Sequence, residues 1–253
     1  MNHINCGGGL LNIITNTQPE YQIKIPTHQN NKDDIIRLQI SDNFEGLEIT
    51  HPDILVVETK DILPDKLKST YKLAANNLLK LYIRNNLDHN LKYHNLAIRE
   101  NVSFLKFSSV SHNQTIIICM VQLDVNYYKR NMQTNNFFDF LVDNSEIDIN
   151  DYIVIIGEFN SHKADEYDQK NTEKISQENF KSINEFISSG FIDSFDLYTN
   201  QYDGKKIINN TYRTKYILLS SKFSDDEFFN LIGSYLYYQS NGIPSVVVDL
   251  YAN

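Results

Sequence analysis

Short apolar runs closed by polar turns recur along the chain. They fall at residues 11–15, 52–57, 115–121, 152–156, 216–219 and 245–250. Most are rich in valine and isoleucine and only four to seven residues long, the pattern of strands covered on both faces of a sheet. Helix-period stretches lie between them. Residues 65–84 place Leu67, Tyr71, Ala74, Leu78 and Leu81 along one stripe, which predicts a helix. Residues 176–188 predict another, with Ser176 as its N-cap and Phe180, Ile183 and Ile187 on the inner face; residues 131–141 predict a third. Residues 20–50 are the least regular, and residues 33–40 fit a short helix or a strand equally well. Irregular alternation of strands and helices favours a layered α/β or α+β domain over a bundle or a pure β-sandwich.

The chain has 253 residues, with no repeat and no Pro- or Gly/Ser-rich linker, so it reads as a single domain over 1–253 with a flexible N-terminus at 1–9. Thirty-two acidic against 23 basic side chains give a formal charge of -9. That argues against holding nucleic acid by a global basic field, and leaves room for a local groove or for carboxylates around a metal ion. Cys6 and Cys119 are too few for a disulfide scaffold or a four-thiolate zinc site, so no disulfide partner is expected. No apolar run is long enough to span a bilayer, and the N-terminus lacks a signal-peptide pattern, so no membrane partner and an intracellular location are expected. The excess of Asn, Ile, Lys and Tyr matches AT-rich codons, and the asparagines are scattered, so no asparagine-rich function is read from them.

Four segments carry candidate chemistry. In Pro52-Asp53-Ile54-Leu55-Val56-Val57-Glu58-Thr59-Lys60 a hydrophobic strand ends in a carboxylate that could bind a hard cation such as Mg²⁺. In Gly157-Glu158-Phe159-Asn160, Glu158 and Asn160 are two residues apart on one side of an extended segment, a pairing able to activate and orient a water. Gly190-Phe191-Ile192-Asp193-Ser194-Phe195 reads as architecture, with Gly190 capping a helix. Arg213-Thr214-Lys215-Tyr216 opens a strand, and Ser240-Asn241-Gly242-Ile243-Pro244 opens the last one.

Taken in order, these segments resemble the exonuclease III and AP-endonuclease branch of the endonuclease/exonuclease/phosphatase superfamily. The family patterns are P-D-I-x-x-x-Q-E-T-K, G-D-x-N, G-F-x-D-S-F-R, R-x-D-Y-x-x-x-S and S-D-H-x-P, and the likeness runs from about residue 10 to the C-terminus. The resemblance implies a four-layer αββα sandwich: two packed, mostly antiparallel β-sheets flanked by helices, with the site at one end. It implies Mg²⁺-supported hydrolysis of a phosphodiester by water, as in DNA repair. By that likeness Glu58 would ligate metal, Glu158 would position the water, and Asn160 would contact phosphate. Near the end of the first strand, the metal-side position would be Thr17 by direct alignment, or Asn16 if one residue has been lost.

The departures bear on activity. The Glu58 segment is one residue shorter than the family pattern, which could turn the carboxylate away unless a bulge compensates. Glu158 replaces Asp, a change that can move a carboxylate by ~1 Å and cost on the order of 100-fold in rate. Lys215 stands where R-x-D-Y has its Asp, so the charge beside the expected base is inverted. Asn241 and Gly242 replace the Asp-His pair, so the base itself is missing. Tryptophan is absent from the chain, and Asn16 and Tyr212 occupy places where the family often has it. His162 and His51 are read as loop histidines and not as substitutes. Losing a general base typically costs ~100- to 10,000-fold. The sequence therefore points to a degenerate nuclease serving as a binding or structural module, within a protein assembly or on nucleic acid. The alternative is an active Mg²⁺-dependent phosphodiesterase with a rearranged site. Lys92, Arg99, Lys106, Lys129 and Arg130, beside Tyr127 and Tyr128, could form a backbone-binding patch, but solvated lysines and core tyrosines are the simpler reading.

Overall fold

The computed structural model describes residues 35–58, 60, 62–85, 87, 91–98, 101–109, 115–148, 151–163, 178–202, 213–225, 229–240 and 243–252. The expected first strand, the 1–9 segment, Asn16, Ser176, Tyr212, Asn241 and Gly242 lie outside the described residues.

Twelve described strands form two six-stranded sheets. The first runs in the order β11 (Phe229–Tyr238), β12 (Pro244–Ala252), β1 (Ile35–Ser41), β2 (Ile54–Val57), β4 (Lys80–Arg84), β3 (Tyr71–Asn76). The second runs β5 (Leu91–Ile98), β6 (Val102–Ser109), β7 (Thr115–Gln122), β8 (Tyr152–Glu158), β10 (Lys215–Ser220), β9 (Phe191–Asp193). Only β1–β2 and β7–β8 pair in parallel among these; every other described pair is antiparallel. The short α1 (Leu47–Thr50) and α2 (Asp65–Lys68) accompany the first sheet. On the second lie α3 (Tyr127–Asp143) and α4 (Glu178–Ser188); α5 (Ser194–Tyr202) bridges β9 and β10 of the second sheet and β11 of the first, and α6 (Lys222–Asp225) follows β10. The expected αββα sandwich is the observed architecture.

Strand alternation builds its core. Ile36, Leu38, Ile40, Ile54 and Val56 of the first sheet meet Ile116, Ile118, Met120, Val154, Ile156, Ile217 and Leu219 of the second. The opposite side chains of β7, β8 and β10, among them Ile117, Cys119, Ile153, Ile155 and Leu218, pack under Phe137 and Leu141 of α3 and Ile183 and Phe186 of α4. Both faces being covered is why these strands read as unbroken apolar runs. Asn126 caps α3, its side chain accepting from the backbone N–H groups of Tyr128 and Lys129. Gly190, at φ 95°, turns the chain out of α4 in the left-handed region.

Residues 65–84 are not one helix. After α2 they form the β3–β4 hairpin, turning at Asn77 and Leu78. Leu81 and Ile83 face the inter-sheet core while Tyr82 faces the outer cluster with Leu55 and Tyr71, a period of two. The helical stripe is a coincidence of spacing, overruled by pairing of β4 with β2. Leu73 and Leu78, which a helix would have buried differently, are exposed. Of the stretch 33–40, open in sequence, the described residues 35–40 lie in β1.

Candidate active site at the rim between the sheets

Five polar side chains share one geometric origin. Each lies two residues from an inward-facing apolar residue on its strand: Asp42 beyond Ile40, Glu58 beyond Val56, Gln122 beyond Met120, Glu158 beyond Ile156, and Lys215 before Ile217. Alternation therefore aims all five into the gap between the sheets, at the rim where the core ends. Asp42 and Glu58 come from the first sheet, and Gln122, Glu158 and Lys215 from the second. The shortened Glu58 segment still delivers its carboxylate: β2 pairs β1 and β4 without a register shift, and the Glu58 N–H donates to the Ser41 carbonyl.

Lys215 and Glu158 are direct cross-strand partners on β10 and β8. The Lys215 Nζ lies 2.7 Å from Glu158 Oε2, 2.5 Å from Asp42 Oδ1 and 3.4 Å from Glu58 Oε2. The remaining oxygens of the two glutamates are engaged as well. Glu158 Oε1 accepts from the Asn160 backbone N–H at 3.0 Å, and Glu58 Oε1 accepts from Gln122 Nε2 at 3.1 Å. The Lys215 side chain is 7% exposed and that of Glu158 5%, whereas Glu58 keeps 37%. Burial alone would lower the Lys215 pKa, but Glu158 and Asp42 outweigh it and hold the ammonium above its ordinary value. Burial pushes the Glu58 carboxyl up; Lys215 opposes this and the neighbouring Glu158 adds to it.

Asn160 adopts φ 46°, the left-handed region that asparagine tolerates, and its Nδ2 donates to the Leu123 carbonyl at 2.7 Å. Its amide nitrogen thus braces the β7 and β8 exits. Gly157, paired with Val121, permits that approach: a Cβ here would run into the Val121 carbonyl oxygen. His162 is half-buried, with Nδ1 2.9 Å from the Arg213 carbonyl oxygen; burial lowers its pKa, against the raising effects of that bond and of Glu158. His51 is exposed in the turn after α1.

The segment leading to residues 241–242, where the base was expected, is anchored from below. Gln239 Nε2 donates to Ser41 Oγ at 2.7 Å and to Asn43 Oδ1 at 2.8 Å, and Ser240 donates to the Glu45 carboxylate through its N–H and its hydroxyl. Behind the second sheet, Asp193 is buried between Arg213 Nη2 at 2.5 Å and Lys163 Nζ at 3.0 Å, and Lys163 also pairs with Asp196. That ion cluster is architecture, as the sequence suggested for Asp193.

Of the basic residues singled out in the middle third, the three with described side chains each engage different groups of the chain. Arg130 is buried and donates to the carbonyls of Asp124, Val125 and Glu178, tying α3 to α4. Lys106 donates to the Glu146 carbonyl, and Lys129 lies 3.9 Å from Asp124. Arg99 and the Lys92 side chain lie outside the described residues. Sequence reasoning missed Asp42 and Lys163. Asp42 repeats the two-residue step from a core-facing isoleucine that Glu58 shows from Val56, which is the signal that could have found it.

The carboxylates converge, yet they do not fit a divalent ion as they stand. Mg²⁺ needs oxygen ligands at about 2.0–2.1 Å with room for retained waters, and here the ammonium sits at the point of convergence. Among the described residues no group of three or more His, Cys, Asp or Glu is disposed to hold a metal ion. No described helix is long and apolar enough to cross a membrane.

No protein-family model matches the sequence, and no curated protein matches it. Solved structures do. An AP endonuclease from Leishmania major superposes with a TM-score of 0.66 at 12% identity, covering 92% of each chain. An AP endonuclease from Archaeoglobus fulgidus gives 0.55 at 11% identity, covering 84% of this chain and 98% of its own. An endonuclease/exonuclease/phosphatase family protein from Bacteroides thetaiotaomicron gives 0.52 at 11%, covering 87% and 98%. At these identities the likeness concerns architecture: the chain has the fold of the endonuclease/exonuclease/phosphatase structures.

Proposed function

We propose that this chain is a nuclease-fold protein that has lost most phosphodiester hydrolysis and acts as a binding or structural module of the exonuclease III and AP-endonuclease type. One observation carries the reading: Glu158, at the position that would orient the attacking water, is buried with one oxygen on Lys215 and the other on the Asn160 N–H. A general base must reach the proton that it removes. Here the carboxylate is spent on the protein itself, and Lys215 replaces the acidic partner that a neighbouring base would use. Asn160 supports the same reading, because its Nδ2 is bound to the Leu123 carbonyl.

A second reading, an active Mg²⁺-dependent phosphodiesterase, draws support from the convergence of Asp42, Glu58 and Glu158. It requires Lys215 to leave their midst. The test is cleavage of an abasic-site DNA duplex with Mg²⁺ or Mn²⁺, comparing wild type with a Glu58→Ala, Glu158→Ala double variant. Equal, background-level rates are expected. Cleavage by the wild type that the double variant abolishes overturns the proposal and establishes the second reading.

A further inference from the structure

We infer that the Lys215 ammonium is the resident cation of this rim site, so that the native chain takes no divalent metal there and Asp42, Glu58 and Glu158 form a metal site only when that charge is removed. This rests on the proposed loss of hydrolysis and adds what replaced the ion. The three carboxylates come from three strands in two sheets, and their oxygens point at one atom, Nζ, within 3.4 Å of each. Such convergence from separate elements is what a cation site demands, and an ammonium satisfies it with three directed donors. The rest of the coordination is finished by neutral donors: the Gln122 amide on Glu58 and the Asn160 N–H on Glu158.

A divalent ion entering beside Lys215 would meet its charge at contact distance, in a pocket where both the ammonium and Glu158 are almost wholly buried. The Lys215 backbone is held in register with Glu158 by the β10–β8 pairing. Its side chain is almost wholly buried, with the ammonium enclosed by the three carboxylates. The ammonium spans the open end of the sandwich as well, because Asp42 and Glu58 belong to one sheet and Glu158 to the other. It staples the two rims together where the apolar core runs out.

The test uses Mn²⁺ as the probe and the full chain. Loss of the free-ion electron-paramagnetic-resonance signal reports binding, for wild type, Lys215→Met and Lys215→Gln, the last a polar alternative should methionine prevent folding. At millimolar Mn²⁺ the wild type is expected to leave the signal unchanged. The folded neutral variants are expected to bind one ion at least ~100-fold more tightly than wild type, since a repelling charge at contact distance has been removed. Adding Glu58→Ala should abolish the gain. Wild-type binding of Mn²⁺ that Glu58→Ala abolishes overturns the inference, and so does a folded neutral variant that binds none. The two proposals fail separately. Wild type that binds Mn²⁺ at these carboxylates without cleaving DNA overturns this inference and leaves the functional reading, whereas cleavage in a chelator with no Mn²⁺ bound does the reverse.

Discussion

Lys215→Met keeps the aliphatic stem and deletes the charge that Asp42, Glu58 and Glu158 share. At an effective dielectric near 20, contacts of 2.5 and 2.7 Å give roughly 6 kcal/mol of attraction each, and the 3.4 Å contact about 5. Glu58 keeps 37% exposure, so solvent screening discounts its share. Desolvation of the ions, several kcal/mol apiece, offsets much of the remainder. What the substitution exposes is the uncompensated carboxylates, and breaking a buried pair from one side typically costs ~3–5 kcal/mol. The predicted loss at pH 7 is of that size, read by urea denaturation, with a drop in Tm of roughly 6–20 °C for a domain of this size. The deficit should shrink towards pH 5. Burial and Glu158 already hold the Glu58 carboxyl above its ordinary value, and removing Lys215 takes away the group that opposes this, so the folded variant takes up a proton at Glu58 as pH falls and gains stability relative to its unfolded state. Lys66→Met, at a side chain 70% exposed, serves as the control and should stay within ~0.5 kcal/mol. A Lys215→Met variant as stable as that control at pH 7 would refute the stapling argument.

Three further outcomes follow from the same geometry. Gly157→Ala places a methyl against the Val121 backbone in the middle of the β7–β8 pair, where neither strand can give, so a loss of more than ~3 kcal/mol or failure to fold is expected; a stable soluble variant with wild-type circular dichroism would contradict it. Asp193→Asn leaves Arg213 and Lys163 buried against a neutral amide, at a cost of ~3–5 kcal/mol near neutrality. Burial raises the Asp193 carboxyl, but Arg213 and Lys163 outweigh that and hold it below 3.8, so its contribution is present above that pH and lost only as pH falls through the lower folded value. For His162, a titration of the ring by NMR should give a midpoint below 6.5, because burial disfavours the imidazolium; a midpoint above 6.5 would show that Glu158 dominates.

The legible parts of the fold were those where one physical signal had no competitor. Ile153 to Ile156 and Val246 to Val248 are apolar at every position because both faces of their strands are covered, and no polar helix face could be drawn through them. Residues 65–84 failed for the opposite reason. Leu67, Tyr71, Ala74, Leu78 and Leu81 fit a helical stripe, and the deciding contact, β4 against β2 some 25 residues upstream, leaves no local trace. At the site, Glu58, Glu158 and Lys215 were found through motif order, and the suspicion that Lys215 inverts the local charge anticipated its ion pairs. Asp42 was hidden in the irregular stretch before residue 50, where β1 itself could not be separated from a helix. Lys163 and Arg213, 30 and 20 residues from Asp193, come together through the sheet and have no pattern in the sequence.

The claim at the centre is that an ammonium has taken the place of the metal ion. Its most direct test is an anomalous difference map at the manganese edge from crystals of the wild-type chain soaked in MnCl₂. The expected map has no peak within ligand distance of Asp42, Glu58 and Glu158, with the Lys215 Nζ density among their oxygens. A manganese peak bridging Glu58 and Glu158, with Lys215 displaced from between them, would contradict it.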